Sequence, residues 1–261
     1  MKAICALLAL LISVTATAQQ APQYSQYIFN GLVINPAYAG SHKALQISAS
    51  HRSQWTGLEG APSTQTLSMD GAVLDSRVGL GLNILADKLG AQSNMGISAS
   101  TSVRHRLSRK SDISLGVALG IARSTLDGTQ LNSGGPAPDQ AVPSWRESEM
   151  LPDVKMGVFY NTERYYAGLS VSNIFGFSGR SLMVTTPARH FFFTTGYVFD
   201  LGYAVRFKPS ILIKEDFKSP TNVDANLFVL FYDRIWFGGS YRASIPVMNK
   251  PKTDKLLKGF V

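Results

Sequence analysis

Residues 94–123 read NMGISASTSVRHRLSRKSDISLGVALGIAR, and polarity alternates along them from one residue to the next. Between residues 94 and 107, one parity carries Met95, Ile97, Ala99, Thr101 and Val103, whereas the other is mostly Gly, Ser and Arg. Residues 111–123 repeat this pattern. Because side chains of a β-strand point alternately to opposite faces, each run predicts a strand with one apolar and one polar face. Runs of about ten alternating residues are typical of strands that cross a membrane in a closed barrel.

The N-terminus predicts export. Lys2 precedes a short apolar stretch, and small residues at 16–18 suit cleavage before Gln19. These features indicate a secretory signal peptide over residues 1–18. The only cysteine, Cys5, lies in that segment, so we expect the mature chain to contain no disulfide, no thiol nucleophile and no cysteine-based metal site.

Composition narrows the class of protein further. The formal charge of +8 falls to +7 without Lys2, because residues 1–18 contain no acid. Such a charge suits acidic partners or lipid headgroups, while export and the lack of a nucleic-acid-binding motif argue against nucleic acid. No later stretch approaches the roughly 20 apolar residues of a spanning helix. A soluble β-sandwich or lipocalin-like barrel is the alternative to a membrane barrel. The polar face of residues 94–123 carries mostly Gly, Ser and Ala, which suit a lumen better than a solvated exterior.

The chain divides into four predicted parts: the signal peptide, an irregular periplasmic entry or plug segment at 19–43, an outer-membrane β-barrel at 44–242 and an atypical basic tail at 243–261. Strands of the antiparallel barrel are predicted from alternation and from frequent β-branched and aromatic residues. We expect about eleven of them, at residues 44–52, 65–73, 77–85, 94–107, 111–123, 153–160, 165–173, 191–200, 203–213, 222–232 and 235–242.

Connections between these runs alternate in length. The predicted tight turns are residues 74–76, 108–110, 161–164, 201–202 and 233–234. The predicted longer loops are residues 53–64, 86–93, 124–152, 174–190 and 214–221. Outer-membrane barrels have short periplasmic turns and longer extracellular loops, so the alternation also predicts an orientation.

Basic residues are expected to gather at the predicted periplasmic rim. They are Arg77, Arg104, Arg106, Arg109, Lys110, Arg164, Lys208 and Arg234. These side chains either anchor the barrel at the membrane interface or form a docking rim for an acidic periplasmic partner.

The sequence shows no pattern of residues that indicates a catalytic site. The four histidines are scattered, so we expect neither a metal site nor a cofactor. Glu147 and Glu149 are placed in the longest predicted loop, where a solvated pair is favoured over glycosidase chemistry. The glycines near 79–81 and 116–120 are placed inside strands, where a dinucleotide-binding turn does not fit.

Three motifs carry a resemblance to a known family. Residues 22–30 read PQYSQYIFN, residues 35–41 read NPAYAGS, and residues 51–57 read HRSQWTG. These motifs resemble those of the PorP/SprF family, outer-membrane proteins of the type IX secretion and gliding machinery of Bacteroidota. The similarity runs from about residue 20 to residue 242.

This resemblance implies a non-enzymatic outer-membrane barrel that helps to secrete or anchor large adhesin-like surface proteins, together with periplasmic secretion components. The alternatives are a general porin or small-solute channel and, with less support, an outer-membrane lipid hydrolase. Motif residues that the resemblance offers as partner contacts are Tyr24, Gln26, Tyr27, Phe29, Asn30, Asn35, Pro36, Tyr38, Gly40, Arg52 and Trp55. A rigid turn at Asn35 and Pro36 would be wedged into the lumen or against the base of the barrel by its aromatic neighbours. It would serve either as a stabilising plug or as a partner-binding element.

The C-terminal part departs from this expectation. No run of strand length is recognised after residue 242, and eleven is an odd strand number where bacterial single-chain barrels are even. We therefore expect a barrel that is incomplete because the reading frame is truncated or frameshifted. The competing expectation is that residues 243–261 pair irregularly and a smaller barrel closes.

Overall fold

A computed structural model describes residues 30–42, 44–131, 145–175, 189–217, 219–232 and 234–245. Twelve strands form one antiparallel sheet. They are β1 (Gln46–Ser53), β2 (Ser63–Val73), β3 (Val78–Leu89), β4 (Gln92–Ser108), β5 (Ser111–Asp127), β6 (Arg146–Thr162), β7 (Tyr165–Ser172), β8 (His190–Tyr197), β9 (Phe199–Leu201), β10 (Val205–Glu215), β11 (Thr221–Phe231) and β12 (Ile235–Ile245). Short 3-10 turns occur at Gly31–Val33, Pro36–Tyr38 and Gly128–Gln130. Among these residues, no helix is long and apolar enough to cross a membrane.

The strands follow one another around the sheet in chain order. Each pairs with the next, except that β8 and β9 both pair with β10, on either side of a break at Val198. Eleven strand positions therefore lie side by side, as the alternation predicted. The predicted run at residues 191–200 is correct in place but consists of two strands.

The sheet curls into a barrel wall. Lys208 on β10 reaches two rings on strands that do not neighbour β10, lying 5.5 Å from the ring centre of Tyr166 on β7 and 5.9 Å from that of Trp236 on β12. Only a strongly curved sheet brings these three side chains together on its concave side. No pairing joins β1 to β12 in the described part of the chain, so the wall has a seam between these strands.

Polarity is inverted relative to a soluble protein. Ser98, Ser100 and Ser102 on β4 are buried, while the alternating Met95, Ile97 and Val103 are at least half exposed. The other strands show the same pattern, with apolar side chains exposed on the outward face of the barrel. They include Ile47, Leu67, Leu80, Leu115, Leu119, Met156, Leu169, Ile211 and Leu227. An apolar exterior around a polar interior is the arrangement of a membrane-spanning barrel. The predicted fold class is confirmed.

A charge on the outer face should therefore be costly. We expect Leu119→Arg to lower the free energy of unfolding from lipid vesicles by about 2–4 kcal/mol, because the outward side chains of β5 meet hydrocarbon. Gly96→Arg is the control, because Gly96 faces the lumen and an added Cβ would find only Ile121 O, at 3.8 Å. Denaturant titration of both variants measures the difference. Equal losses would contradict the assignment of the two faces.

Connections differ in length between the two barrel ends. The tight-turn end carries residues 74–77, 109–110, 163–164, 202–204 and 232–234. The opposite end, here called the loop end, carries residues 54–62, 90–91, 128–145, 173–189 and 216–220. Four of the five predicted loops are thus longer than the turns at the other end.

Three expectations about the loop end were wrong. Residues 86–93 are not a loop, because β3 and β4 continue to a tight turn at Gly90 and Ala91. The predicted loop at 124–152 is shorter, since β5 and β6 extend to Asp127 and from Arg146. Glu147 and Glu149 consequently lie in β6, paired with Leu126 and Ser124, rather than in a loop. Residues 132–144 lie outside the described part of the chain.

Candidate functional site

Residues 30–42, named the plug from here on, lie inside the barrel. Leu32, Val33, Ile34, Asn35 and Ala37 are all less than a tenth exposed. The plug touches wall residues of β2 to β7, and its Ile34 also packs against Leu212 of β10, with Phe192 of β8 beside it. The plug therefore occupies the barrel interior between these strands.

Local sequence explains how the plug folds. Asn35 caps the second 3-10 turn, its side-chain oxygen accepting a hydrogen bond from Ala37 N at 2.9 Å. Pro36 follows at the first helical position, where its fixed φ fits and no amide hydrogen is needed. Gly40 then ends the turn with φ +66. A Cβ added to it would lie 2.9 Å from Gly71 O and 2.9 Å from Gly79 Cα. A side chain is excluded there by both conformation and space.

Asn35 also anchors the plug to the wall. Its amide nitrogen donates to Val158 O at 2.9 Å and to Leu169 O at 3.3 Å, carbonyls of the paired strands β6 and β7. Ser170 Oγ on β7 donates to Ile34 O at 2.9 Å. Since Asn35 is only 2 % exposed, these bonds replace water that the side chain would otherwise bind.

Glycines in the wall make room for the plug backbone. A Cβ added to Gly116 on β5 would lie 2.3 Å from Ala37 N, and one added to Gly79 on β3 would lie 2.0 Å from Ala39 O. At Gly157 on β6 the added atom would lie 2.1 Å from Asn35 Oδ1. These three glycines, named the glycine socket, permit an approach of the plug that no other residue allows: its backbone at Gly79 and Gly116, and the Asn35 side chain at Gly157.

A polar clamp holds the plug where it leaves the lumen. Gly40 N donates to Asp70 Oδ2 at 2.8 Å, and Ser102 Oγ donates to Ala39 O at 2.8 Å. Arg104 donates from one guanidinium nitrogen to Gly40 O and from another to Ser76 O in the β2–β3 turn. Both main-chain groups of Gly40 are thereby fixed to β2 and β4.

Loss of the clamp should loosen this end of the plug. We expect Arg104→Met to make residues 39–42 accessible to protease from the tight-turn end, because a hydrogen bond to a charged donor contributes about 1.5–3 kcal/mol. Arg106→Met is a matched control, because Arg106 pairs with Asp112 at 3.6 Å on the exposed rim rather than with the plug. If residues 39–42 resist protease equally in the two variants, Arg104 does not hold this end of the plug.

Tyr38 packs at the mouth of the lumen. Its ring meets Phe159 of β6 edge-on, with 5.3 Å between ring centres, and covers Gly31 of the plug. Burial raises the pKa of the Tyr38 hydroxyl above its ordinary value, so the hydroxyl stays protonated. It lies 3.4 Å from His42 Nδ1. The aromatic wedge expected at Tyr38 is therefore present.

The basic rim is smaller than the sequence indicated. Arg104 and Lys208 point into the lumen, one toward the plug and the other between Tyr166 and Trp236. The remaining six predicted residues lie at the tight-turn end, where Lys110 pairs with Glu163 and Arg164 with Asp200.

The predicted motif residues fall into three groups. Asn30, Asn35, Pro36, Tyr38 and Gly40 all belong to the plug. Arg52 lies on the lumenal parity of β1 and Trp55 in the β1–β2 loop, both near the loop end and away from the plug. Residues Tyr24, Gln26, Tyr27 and Phe29 lie outside the described part of the chain.

Sequence reasoning missed the wall residues that receive the plug. Asp70, Ser170 and Gly157 were given no role, and Ser102 was assigned only to the polar face of its strand. Gly79 and Gly116 were placed inside strands, where glycine relieves crowding on the lumen face, but they were not linked to the plug. Their common signal is glycine or a small polar residue at lumenal positions of neighbouring strands, which indicates close backbone approach. Within the described ranges, no three His, Cys, Asp or Glu side chains are grouped to hold a metal ion.

Comparison with known proteins agrees with this architecture. The family model for the type IX secretion system membrane protein PorP/SprF matches residues 16–259. A comparison with curated proteins finds no match. The family match covers most of the sequence, including the plug and every strand of the barrel. The chain therefore belongs to the PorP/SprF family of type IX secretion system membrane proteins.

Proposed function

We propose that this protein is a non-enzymatic outer-membrane barrel that helps to secrete or anchor large adhesin-like surface proteins. Its tight-turn end faces the periplasm and its loop end faces the cell exterior. Its partners are outer-membrane lipid, the exported surface protein and periplasmic components of the secretion system. Membership of the PorP/SprF family supports the link with secretion.

The plug is the observation that carries the proposal. A lumen that holds residues 30–42, fixed through Asn35 and Gly40 to several strands, is poorly suited to passing solutes. An exported protein large enough to act as an adhesin cannot pass through it. The barrel must then act through its surfaces, which are the loops at one end and the turns at the other.

The tight-turn end offers charge for a periplasmic partner. Arg77, Arg109 and Arg234 make no ion pair with any described residue, so their charges remain available. Exposed cations like these favour an acidic partner and speed its association. This supports contact with a periplasmic component of the secretion system.

Affinity purification tests the proposal directly. The tagged protein is extracted from outer membranes with mild detergent, and the proteins that accompany it are identified. Recovery of an exported surface protein or of type IX secretion components is expected. A strain that lacks the barrel should also lose display of that surface protein. Purification of the barrel alone, with normal display in the deletion strain, would refute the proposed function.

A small-solute channel is the second candidate. Toward the loop end, the lumenal side of β11 and β12 is polar, and Asp224 and Arg242 are joined there by two hydrogen bonds. A channel would show steady ion conductance of the unaltered protein in planar bilayers. We expect the unaltered protein to conduct poorly.

A further inference from the structure

The plug begins in the middle of the lumen rather than at a mouth of the barrel. Its first residue, Asn30, donates a hydrogen bond from its side-chain nitrogen to Oγ of Ser68, the central residue of β2. Leu32 then lies over Gly81 of β3, where an added Cβ would be 3.0 Å from the leucine side chain. Gly40 lies against β2 and β3 close to their tight-turn ends. The plug therefore runs from the middle of the lumen toward the tight-turn end.

A chain that reaches Asn30 from either mouth must cross half of the lumen. From Ser68 to either end of β2, the strand measures about 17 Å. Because barrel strands are tilted, the corresponding depth along the barrel axis is about 13 Å. An extended chain covers at most about 3.6 Å per residue, so at least about four residues before Asn30 must pass through the barrel. Some part of the inner wall must therefore receive them.

Strands β11 and β12 stand close to the first residue of the plug. The plug itself contacts β2 to β7 and packs Ile34 against β8 and β10. Beyond β1, on the other side of the seam, β12 and then β11 follow around the wall. Arg52 of β1 and Arg242 of β12 are near enough for their charges to oppose each other, so β12 stands close to β1. The lumenal side of β11 and β12 is thus within reach of the residues that precede Asn30.

Lumenal side chains of β11 and β12 change in character along the two strands. In the tight-turn half they include Phe228 and Leu230 on β11 and Trp236 on β12, which are named the apolar patch from here on. The ring centres of Phe228 and Trp236 are 6.5 Å apart. In the loop half the lumenal side chains are polar, and they are Asn222, Asp224, Arg242 and Ser244. The tight-turn half therefore suits aromatic groups, whereas the loop half does not.

The sequence before Asn30 has the chemistry that the apolar patch requires. Residues 24–29 read YSQYIF, with three aromatic side chains, and residues 19–29 contain no charged residue. An uncharged segment can enter a barrel interior without the cost of burying a charge. The 3-10 turn Gly31–Val33 follows Asn30 directly and redirects the chain. A segment that rises along β11 and β12 can therefore continue into the descending plug.

We propose that Tyr24, Tyr27 and Phe29 dock on the apolar patch. The chain then enters the lumen from the tight-turn end, rises along β11 and β12 and turns at Asn30 into the plug. Aromatic rings of the segment pack against those of the patch, and Lys208, 5.9 Å from the ring centre of Trp236, offers a cation beside them. The N-terminal chain thus blocks the lumen on both of its sides. This inference concerns the lumen alone and does not rest on the proposed function in secretion.

Pairs of cysteines in the full-length barrel test the route of the chain. Ser25→Cys or Gln26→Cys, which keep the aromatic side chains, is combined with Ser240→Cys on the lumenal side of β12. Ser244→Cys replaces Ser240→Cys in the matched control, because Ser244 is lumenal on the same strand but lies in the loop half. A short bismaleimide should join residue 25 or 26 to residue 240 and not to residue 244, as mass spectrometry of the joined peptides would show. Equal crosslinking to both positions, crosslinking to residue 244 alone or no crosslinking would overturn the proposed route.

Labelling of a single cysteine tests the apolar patch itself. Ser25→Cys should react slowly with a maleimide in the folded barrel, and several-fold faster when Trp236→Ala removes the largest ring of the patch. Tyr241→Ala is the matched control, because Tyr241 is an aromatic residue of the same strand on the outward face, 74 % exposed. It should leave the labelling rate unchanged, and heat-modifiable migration confirms that each variant forms a barrel. Fast labelling without either substitution, or equal rates in the two variants, would show that the segment does not dock on the patch.

Discussion

Valine in place of Gly116 should expel the plug and convert the barrel into an open pore. A Cβ at this position would lie 2.3 Å from Ala37 N and 2.4 Å from Ala37 Cα. Backbone on both sides of the contact cannot yield, so overpacking costs about 1–3 kcal/mol or more. Conductance in planar bilayers should rise from nearly closed to a stable open level.

The matched control for this substitution is Gly96→Val. Gly96 also faces the lumen, but a Cβ there would meet only Ile121 O, at 3.8 Å, and no plug atom. This variant should conduct as poorly as the unaltered protein. Equal conductance in the Gly116 and Gly96 variants would show that the plug does not close the lumen.

Asn35→Asp should be among the most damaging single changes in the plug, although the two side chains have almost the same shape. The oxygen that accepts from Ala37 N is kept, but the donor to Val158 O and Leu169 O becomes an acceptor facing two carbonyls. Burying an unmatched charged acceptor costs about 3–5 kcal/mol. The variant is expected to lose heat-modifiable migration at a lower denaturant concentration.

Asn83→Asp provides the comparison. Asn83 is 5 % exposed in the lumen, and its side-chain oxygen has no hydrogen-bond partner among the described residues. The same exchange there also buries a charge but breaks no hydrogen bond, so the additional loss expected in Asn35→Asp measures the two bonds of Asn35 to the wall. If both variants unfold at the same denaturant concentration, the two bonds of Asn35 do not anchor the plug.

Alternation of apolar and polar residues was sufficient to place the barrel strands, because one face of each strand meets lipid and the other face meets the polar lumen. Where strands extend beyond the membrane, this contrast disappears. Asp87 near the end of β3 illustrates the point, since it accepts a hydrogen bond from Thr64 at 2.5 Å in a segment that is polar on both faces. The sequence of residues 86–93 therefore resembled a loop, and the β3–β4 hairpin was missed.

The plug was only half predictable. The Asn35-Pro36 turn follows from local chemistry, because capping and a fixed φ act within a few residues. Its partners do not, because Asn35 binds the carbonyls of Val158 and Leu169, and every residue has a carbonyl. Hydrogen bonds from one side chain to main-chain carbonyls more than one hundred residues away leave no side-chain pattern at the accepting positions. Glycine at 79, 116 and 157 is the trace that close packing of the plug leaves in the wall.

Thiol labelling of the folded barrel tests the buried plug most directly. Cys5 is the only cysteine of the chain and lies within the predicted signal peptide, so an introduced cysteine is easily followed. Val33→Cys places a smaller side chain at a plug position that is 6 % exposed, whereas His42→Cys places one at the exposed end of the plug. Slow labelling at residue 33 and fast labelling at residue 42, with equal rates after denaturation, is the predicted result. Equal rates in the folded barrel would contradict a plugged lumen.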